Sequence, residues 1–252
     1  MKTKIALITG GSRGLGRDMA LSLAKNGTDI LFTYHSNKEK ANEVIKEIEN
    51  LGQKAWTLPL DTAKTTNFDA FFREVSTVLE SATANNKFDY LVNNAGTALY
   101  KSFVETTEEE LDNMINIHFK GVYMFTQKAL PFLNDGGRIV NISSGLARFS
   151  FPGSSAYGAM KGAIDVLSRY MAKELGEKRI TVNSVAPGAI QTDFGGGRVR
   201  DDKQMNETIS ALTALGRPGL PEDIGGVVTF LCSEQGRWIN GQRIEVSGGI
   251  FL

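Results

Sequence analysis

Seven short apolar runs recur along the chain, and longer segments with helical patterning separate them. The runs lie at 4–10, 29–34, 54–60, 88–94, 137–143, 180–188 and 242–249. They are apolar without strict alternation, which is typical of strands covered on both faces. Repeated strand–helix–strand units require right-handed crossovers, so the pattern predicts an α/β fold. We expect a Rossmann-like, doubly wound parallel sheet of about seven strands with helices on both faces.

The helical segments lie at 15–26, 38–51, 65–85, 107–134, 155–178 and 221–233. The second follows an Asn cap, the fourth begins with a capping-box Thr, and a proline stands near the start of the last. No linker, repeat or change in composition interrupts the sequence, so we expect one domain over 1–252. The least regular stretch is 189–212, with three successive glycines and many charges. It follows the carboxyl end of a strand, so we expect a mobile substrate loop there.

The balance of charge narrows the choice of partner. Lys and Arg together number 28, as do Asp and Glu, so the chain is formally neutral. A non-specific nucleic-acid binder needs a basic surface to neutralise phosphates, so we expect no nucleic-acid partner. The apolar run after the amino-terminal lysines is too short for a secretion signal or a membrane span. Cys232 is the single cysteine, which excludes an internal disulfide and favours a reducing, cytoplasmic location.

A glycine-rich stretch, ITGGSRGLG at 8–16, follows the first predicted strand and opens the first predicted helix. Its glycines permit a tight turn and a close approach of the backbone to a ligand. The helix behind them presents free amides and the positive end of its dipole, which together favour a phosphate group. The stretch therefore predicts a pyrophosphate site, and the alternative is a tight turn with no ligand. The candidate contacts are Gly10, Ser12, Arg13, Gly14, Leu15 and Gly16.

Four further motifs follow in a fixed order along the chain. They are NNAG at 93–96, Tyr157 and Lys161 four positions apart, PG at 187–188 and WINGQRIEVSGG at 238–249. Together with the Gly-x-x-x-Gly-x-Gly spacing of the first loop, they make the whole chain resemble the short-chain dehydrogenase/reductase family. Among its members the chain is similar to bacterial 3-oxoacyl-acyl-carrier-protein reductases. The resemblance implies an oxidoreductase that moves a hydride between a nicotinamide cofactor and a carbonyl or alcohol, and no metal ligands are assigned.

The end of the second predicted strand bears on the choice between NADP(H) and NAD(H). A carboxylate that would bind an NAD ribose is expected about 20 residues after the glycines. Tyr34, His35 and Ser36 stand there instead, and none of them would repel a 2′-phosphate. Arg13 in the glycine loop adds a cation, as in NADP-preferring members of the family. We therefore expect NADP(H), with NAD(H) as the alternative, although Arg13 could equally be a solvated surface charge.

The resemblance implies further cofactor contacts beyond the glycine loop. They are Asp61 and Thr62 on the adenine side, Asn93, Ala95 and Gly96 beside the adenosine ribose, and Pro187, Gly188, Ile190 and Thr192 around the nicotinamide carboxamide. The alternative is that these are ordinary turn residues after strands, and the two interpretations are compatible.

Reducing a ketone requires a hydride and a proton for the developing alkoxide. Tyr157 is a plausible acid, but a phenol has an ordinary pKa of about 10 and is poorly matched to neutral pH. Lys161 lies one helical turn away, and a nearby cation is expected to lower that pKa. Counting back from Tyr157 by the family's spacing gives Ser144, whose hydroxyl would donate to the substrate carbonyl. Ser143 and Ser144 could instead merely end a strand.

One position departs from the family pattern. Family members usually carry Asn in a pattern like Asn-x-Lys-Gly, and this chain has His118 there, in NIHFKG. In the family that Asn helps to hold a water that relays protons to the lysine. His118 could order the same water and, with a pKa near neutrality, carry the proton itself. It could equally be a packing residue.

Substrate and assembly are less constrained. Arg148, Phe149, Phe151 and Phe194 could form a mixed apolar and cationic wall for a ketone or 3-oxoacyl substrate. The competing hypothesis is a catalytically silent NADP-binding sensor or scaffold, for which a complete set of Ser144, Tyr157 and Lys161 would be unnecessary.

The long helices at 107–134 and 155–178 resemble those that pair into a four-helix interface in the family. The resemblance implies a homotetramer, or a homodimer. Apolar residues of the first helix would suit that packing or an internal core equally; they are Leu111, Ile115, Val122, Phe125 and Ala129.

Overall fold

The protein is described by a computed structural model over residues 3–252, in which seven parallel strands form one sheet. Their order is β3-β2-β1-β4-β5-β6-β7, so the chain winds outward in one direction from β1 and in the other from β4. The strands are β1 Lys4–Ile8, β2 Thr28–Tyr34, β3 Ala55–Pro59, β4 Phe88–Asn93, β5 Leu133–Ile142, β6 Thr181–Pro187 and β7 Arg243–Val246. The doubly wound sheet predicted from the apolar runs is confirmed.

Helices follow the strands in the predicted alternation. They are α1 Gly14–Lys25, α2 Lys38–Asn50, α3 Phe68–Ala82, α4 Glu108–Ile115, α5 Gly121–Ala129, α6 Ser155–Glu174, α7 Arg198–Asp201, α8 Lys203–Leu212 and α9 Glu222–Cys232. Asn37 caps α2 by accepting a hydrogen bond from the Lys40 amide. Thr107 and Glu110 form the capping box of α4. Within residues 3–252, no helix combines the length and the apolar character that crossing a membrane requires.

The two faces of the sheet carry separate cores, which explains the unbroken apolar runs. Along β1, Ala6 and Ile8 pack with α1, α2 and α9 on one face. Ile5 and Leu7 pack on the other face with a phenylalanine-rich cluster from α3 and α5. Because successive side chains point to opposite faces, a strand buried on both must be apolar at every position.

Two boundaries differ from the sequence expectation. The helical segment at 107–134 holds a π-helical turn, Asn116–Lys120, between α4 and α5, and it ends before Leu133. Strand β5 begins at Leu133 rather than at 137, because residues 134–137 form an irregularity in its pairing with β4. The letters NDGG are typical of a turn, and only the neighbouring strand holds them in the sheet.

The stretch at 189–212 is more regular than its composition indicates. Its glycines Gly195, Gly196 and Gly197 all have positive φ and make a left-handed turn. Helix α7 follows at once, and α8 begins where Asp202 accepts a hydrogen bond from the Met205 amide. The Asp cap was the sequence signal for α8, and the charged composition concealed it.

Candidate active site

The predicted site residues collect at the carboxyl edge of the sheet. The glycine loop follows β1, NNAG follows β4, Ser144 follows β5, and Pro187 ends β6. The direction in which successive strands are added to the sheet reverses between β1 and β4, and ligands bind at such a switch point in open α/β sheets. A cleft of about 450 Å³ lies at the opposite edge, where Lys4, Lys87 and Asp89 are among its lining residues. It contains none of the predicted site residues.

The glycine loop is shaped by backbone conformation and close contact. Gly10 and Gly14 have φ of +70° and +52°, in the left-handed region. A Cβ on Gly16 would collide with the Gly10 carbonyl oxygen. Helix α1 then starts at Gly14 with no side-chain cap and no acidic residue in its first turn. Its amides and positive dipole end are therefore open to an anion, which fits the pyrophosphate of a dinucleotide.

Three side chains that sequence reasoning missed hold this loop in place. Asn94 donates from Nδ2 to the carbonyl oxygens of Thr9 and Gly10, at 2.9 and 3.0 Å. The Thr9 hydroxyl accepts from the amides of Asn94 and Ala95, at 2.9 and 3.0 Å. The Thr33 hydroxyl accepts from the Gly10 amide at 3.0 Å. The second Asn of NNAG was the available signal, and it ties the end of β4 to the loop after β1.

The end of β2 lies beside this loop and is polar. His35 and Ser36 are exposed, Tyr34 is half-buried, and His35 Nε2 lies 3.9 Å from Asp61 Oδ2. Ser12 is half-buried, whereas Leu15 packs against the core beneath α1, so a ligand would meet the Leu15 backbone.

Arg13 is exposed, but its side chain also contacts another part of the protein. Its guanidinium donates to the Asp193 carboxylate, with Nη1 and Oδ2 2.9 Å apart. The pair joins the loop after β1 to the loop after β6.

The residues after β4 divide between the interior and the site. Asn93 is buried and donates to Thr126 Oγ1 and Asn141 Oδ1, at 2.9 and 2.8 Å, so its side chain serves the interior. Thr62, Asn93 and Ala95 line one small pocket. Gly96 faces His118, whose Cε1 would lie 2.8 Å from a Cβ at that position.

The loop after β6 is held close to two neighbours. The Gly188 amide donates to the Val246 carbonyl oxygen at 3.0 Å, and a Cβ on Gly188 would lie 2.9 Å from the Ser247 Cα. Ile190 packs against the core. Thr192 is buried, and its hydroxyl accepts from the Phe194 amide at 3.2 Å. A Cβ on Gly14 would lie 3.6 Å from the Thr192 Cβ, so this loop faces the glycine loop.

Helix α6 brings Tyr157 and Lys161 together beside Ser144. Lys161 Nζ lies 5.4 Å from the centre of the Tyr157 ring. Lys161 is buried, and its Nζ donates to the Ile142 carbonyl oxygen at 2.7 Å. The Ser144 side chain lies beside the Tyr157 phenol and favours its ionised form. Ser143 differs from Ser144, since its hydroxyl is buried and donates to the Lys161 carbonyl oxygen at 3.3 Å.

Burial dominates the protonation of this cluster. It raises the pKa of Tyr157 above its ordinary value, and the Ser144 side chain opposes that rise. Burial also lowers the pKa of Lys161 to about 8, against a smaller opposite effect of Asp165. The expected depression of the Tyr157 pKa by Lys161 is therefore not observed. Loss of water around the phenol disfavours the phenolate, and the Lys161 ammonium is hydrogen-bonded to the Ile142 carbonyl oxygen instead.

His118 lies against this cluster. It is buried in the π-helical turn, and its ring meets the Tyr157 ring edge to face with centres 5.2 Å apart. Nε2 lies 2.8 Å from the Thr97 carbonyl oxygen, while Nδ1 is buried without a hydrogen-bond partner in the described structure. Burial, followed by the charge of Lys161, lowers the pKa of His118 to about 3. The expected near-neutral pKa is therefore wrong, because a charged imidazole would lack water and face a cation.

A charged network behind Ser144 was also missed. Arg243 on β7 donates to the Ser144 carbonyl oxygen at 3.2 Å and pairs with Asp165 on α6 at 3.0 Å. Glu245 accepts from Arg243 and from Arg148. Two opposite charges, two positions apart in a short strand, were the only sequence signal, and their partners lie far away along the chain.

Only some of the residues expected to form a substrate wall lie beside the reaction centre. Arg148 pairs with Glu245 at 2.7 Å, and Phe149 packs against Phe251 with ring centres 4.7 Å apart, so both contact carboxyl-terminal residues. Phe194 does lie beside the reaction centre, with its ring centre 6.0 Å from that of Tyr157.

Known proteins share this architecture and sequence. A sequence model described as Enoyl-(Acyl carrier protein) reductase matches residues 10–250. A hydroxynaphthalene reductase-like protein of Metarhizium brunneum is 35% identical over 258 residues, which cover 98% of this chain and 94% of that protein. The angucycline C-6 ketoreductase LanV, solved with bound NADP, has a TM-score of 0.94 at 37% identity, covering 99% of this chain and 96% of its own. A short-chain dehydrogenase/reductase from Serratia marcescens has a TM-score of 0.90 at 32% identity, covering 99% and 98%.

Proposed function

This chain belongs to the short-chain dehydrogenase/reductase family, and from that premise we propose that it is an NADPH-dependent ketoreductase with Tyr157 as proton donor. The single observation that carries the proposal is the meeting of Ser144, Tyr157 and Lys161 at the carboxyl edge of the sheet, opposite an uncapped helix N-terminus. The ketoreductase LanV binds NADP, which supports the same cofactor here.

The residues present fit a dinucleotide. We assign the pyrophosphate to the amides of the glycine loop and the 2′-phosphate to Arg13 and Ser36, since residues 34–36 at the end of β2 include no acidic side chain. Thr62 would lie on the adenine side, Ala95 beside the adenosine ribose, and the loop from Pro187 to Thr192 around the nicotinamide carboxamide. When bound, NADPH supplies the hydride that a carbonyl carbon receives.

Side chains of the protein stabilise the substrate carbonyl oxygen and supply its proton. The Ser144 hydroxyl donates to the substrate carbonyl oxygen and stabilises the charge that develops on it. The Tyr157 phenol gives that oxygen its proton. Lys161 uses one of its three N–H groups on Ile142, so two remain to bind a ribose hydroxyl or a water and to stabilise the phenolate that Tyr157 leaves behind.

We propose that His118 acts beside Tyr157 as a neutral hydrogen-bond acceptor rather than as a proton carrier. Its Nε2 is engaged by Thr97, and the unpartnered Nδ1 offers a lone pair within the site. A hydroxyl or water that donates to Nδ1 is thereby oriented toward the Tyr157 and Lys161 pair.

The decisive experiment follows NADPH oxidation with a panel of ketones. Tyr157→Phe removes the acid and should lower kcat by about a hundredfold or more. Tyr123→Phe is the matched control, because Tyr123 lies exposed on α5 and should retain full activity. Full activity in Tyr157→Phe would show that another group donates the proton.

Two other outcomes would replace the proposal. Tight NADPH binding without turnover on any carbonyl would favour the silent sensor or scaffold. Reduction of a carbon–carbon double bond in preference to a ketone would favour the enoyl chemistry in the matching family description.

We further propose that the enzyme is cytoplasmic and assembles into a homotetramer, with a homodimer as the alternative. The single cysteine suits a reducing compartment. Exposed apolar side chains on α4, α5 and α6 support a self-association surface; they are Leu111, Tyr123, Val166 and Tyr170.

A further inference from the structure

Three aromatic rings border the opening beside Ser144. Phe194 lies next to Tyr157, with ring centres 6.0 Å apart and planes inclined at 54°. Tyr100 lies close enough to Tyr157 to raise the pKa of the latter. Tyr100 and Phe194 remain 46% and 41% exposed beside the reaction centre. Aromatic rings beside a reaction centre are suited to contact the apolar part of a substrate.

The glycine turn fixes how these rings face the opening. Gly195 has a positive φ, and a Cβ there would lie 2.6 Å from the Tyr100 ring and hydroxyl. The backbone of the turn therefore lies directly against Tyr100, with Phe194 before it and Arg198 after it. Any side chain at 195 would push Tyr100 away, so the glycine is needed for the arrangement.

Arg198 brings a cation to the same opening. Its guanidinium lies over the Tyr100 ring, 5.0 Å from the ring centre. The other cations of the segment after β6 are neutralised, since Arg200 pairs with Asp201 and Lys203 with Glu207. In residues 3–252, Arg198 makes no such pair with a carboxylate. A guanidinium that is stacked on a ring and lacks a counter-ion keeps its N–H fork for an external anion.

We propose that the substrates are planar aromatic ketones that carry an acidic group, either an ionised phenol or a carboxylate, away from the reacting carbonyl. The aromatic part lies between Tyr100 and Phe194, the ketone oxygen reaches Ser144 and Tyr157, and the anion pairs with Arg198. This inference rests on the proposed ketoreductase function and narrows it to a substrate class.

The test compares ketones of one size. α-Tetralone and its saturated counterpart decalone are assayed with NADPH, each with and without a carboxylate on the ring distal to the ketone. We expect kcat/KM to be about tenfold higher for the aromatic than for the saturated ketone, and about tenfold higher again with the carboxylate. Tyr100→Leu and Phe194→Leu should remove the aromatic preference, mainly through KM.

The charge is tested separately. Arg198→Gln should abolish the preference for the carboxylate, measured as the ratio of kcat/KM for α-tetralone with and without that group. Arg200→Gln is the matched control in the same segment and should preserve that preference, because Arg200 already pairs with Asp201. NADPH binding and the melting temperature of each variant show that it has folded.

The outcomes separate the two proposals. If no ketone is reduced although NADPH binds, the ketoreductase function itself fails. If both ring types are reduced equally well by the wild-type enzyme, the function stands and the aromatic substrate class is overturned. A carboxylate preference that survives in Arg198→Gln would overturn the assignment of Arg198.

Discussion

The environment of His118 links the active site to the stability of the fold. The imidazole is enclosed with Lys161 on one side and the Thr97 backbone on another. A buried ring in such a place is stable only when neutral, and the π-helical turn that presents it is a local irregularity of the kind often found at functional sites. The residue therefore couples folding to pH even if it never exchanges a proton during the reaction.

The stability of the protein should fall as the solution is acidified below neutrality. The pKa of His118 is about 3 in the folded state, against an ordinary value of 6.5. Between these values the unfolded chain binds more protons, so the free energy of unfolding rises with pH by up to about 1.4 kcal/mol per pH unit. Urea denaturation from pH 4.5 to 7 should show this slope, and His118→Asn should reduce it.

The chain supplies its own control for that measurement. His35 is the only other histidine in the sequence, and its side chain is 74% exposed. His35→Asn should leave the slope as it is in the wild type. An unchanged slope in His118→Asn would mean that the ring is charged or hydrated in the folded protein.

At the scale of the elements, the loops after β1 and β6 are linked by Arg13 and Asp193. A 2′-phosphate would compete with Asp193 for the same guanidinium. Arg13→Ala should raise the Kd for NADPH by about tenfold, the expected effect of a lost hydrogen bond to a charged group, and change the Kd for NADH little. Asp193→Asn should strengthen NADPH binding, because it removes the competing carboxylate.

Titration of the wild type and each variant with both cofactors, followed by fluorescence, measures these dissociation constants. Lys25→Ala removes a cation from the far end of α1 and controls for the general loss of positive charge. Equal weakening of NADPH and NADH by Arg13→Ala would place the 2′-phosphate elsewhere, for example on Ser36.

Elements were predictable from the sequence where local chemistry decides their structure. The caps at Asn37 and Thr107 formed as expected because each involves residues only three positions apart. The start of β5 was missed because the pairing with β4 overrides the turn preference of residues 134–137. The π-helical turn around His118 was missed because no local pattern distinguishes it from the helices on either side.

At the scale of the whole molecule, the order of the apolar runs determines which loops share one edge of the sheet, and the motifs then place the candidate site. What sequence reasoning did not supply are contacts between distant segments. Arg243 reaches Asp165 and the backbone of Ser144, and Arg198 lies over Tyr100. Such pairs have no fixed spacing along the chain, so only the folded structure identifies the residues that surround Tyr157.

The oligomeric state depends on which apolar side chains the folded chain leaves exposed. Phe125 and Ala129, which suited a subunit interface, are buried in the protein's own core and are therefore not free for a partner. Helix α6 instead exposes Val166 and Tyr170, one turn apart, and Tyr170 is 65% exposed. If this face pairs with a second copy, a charge introduced there by substitution would lose its water without gaining a partner. That loss disfavours association.

Tyr170→Asp should therefore lower the molar mass of the assembly measured by light scattering, while NADPH binding persists because α6 keeps Tyr157 and Lys161 on another side. Leu51→Asp is the matched control, since Leu51 is also an exposed apolar residue but ends α2 on the opposite face of the sheet. Its mass should equal that of the wild type. An unchanged mass for Tyr170→Asp would exclude this face as the interface, and a monomeric wild-type enzyme at assay concentrations would exclude the homotetramer altogether.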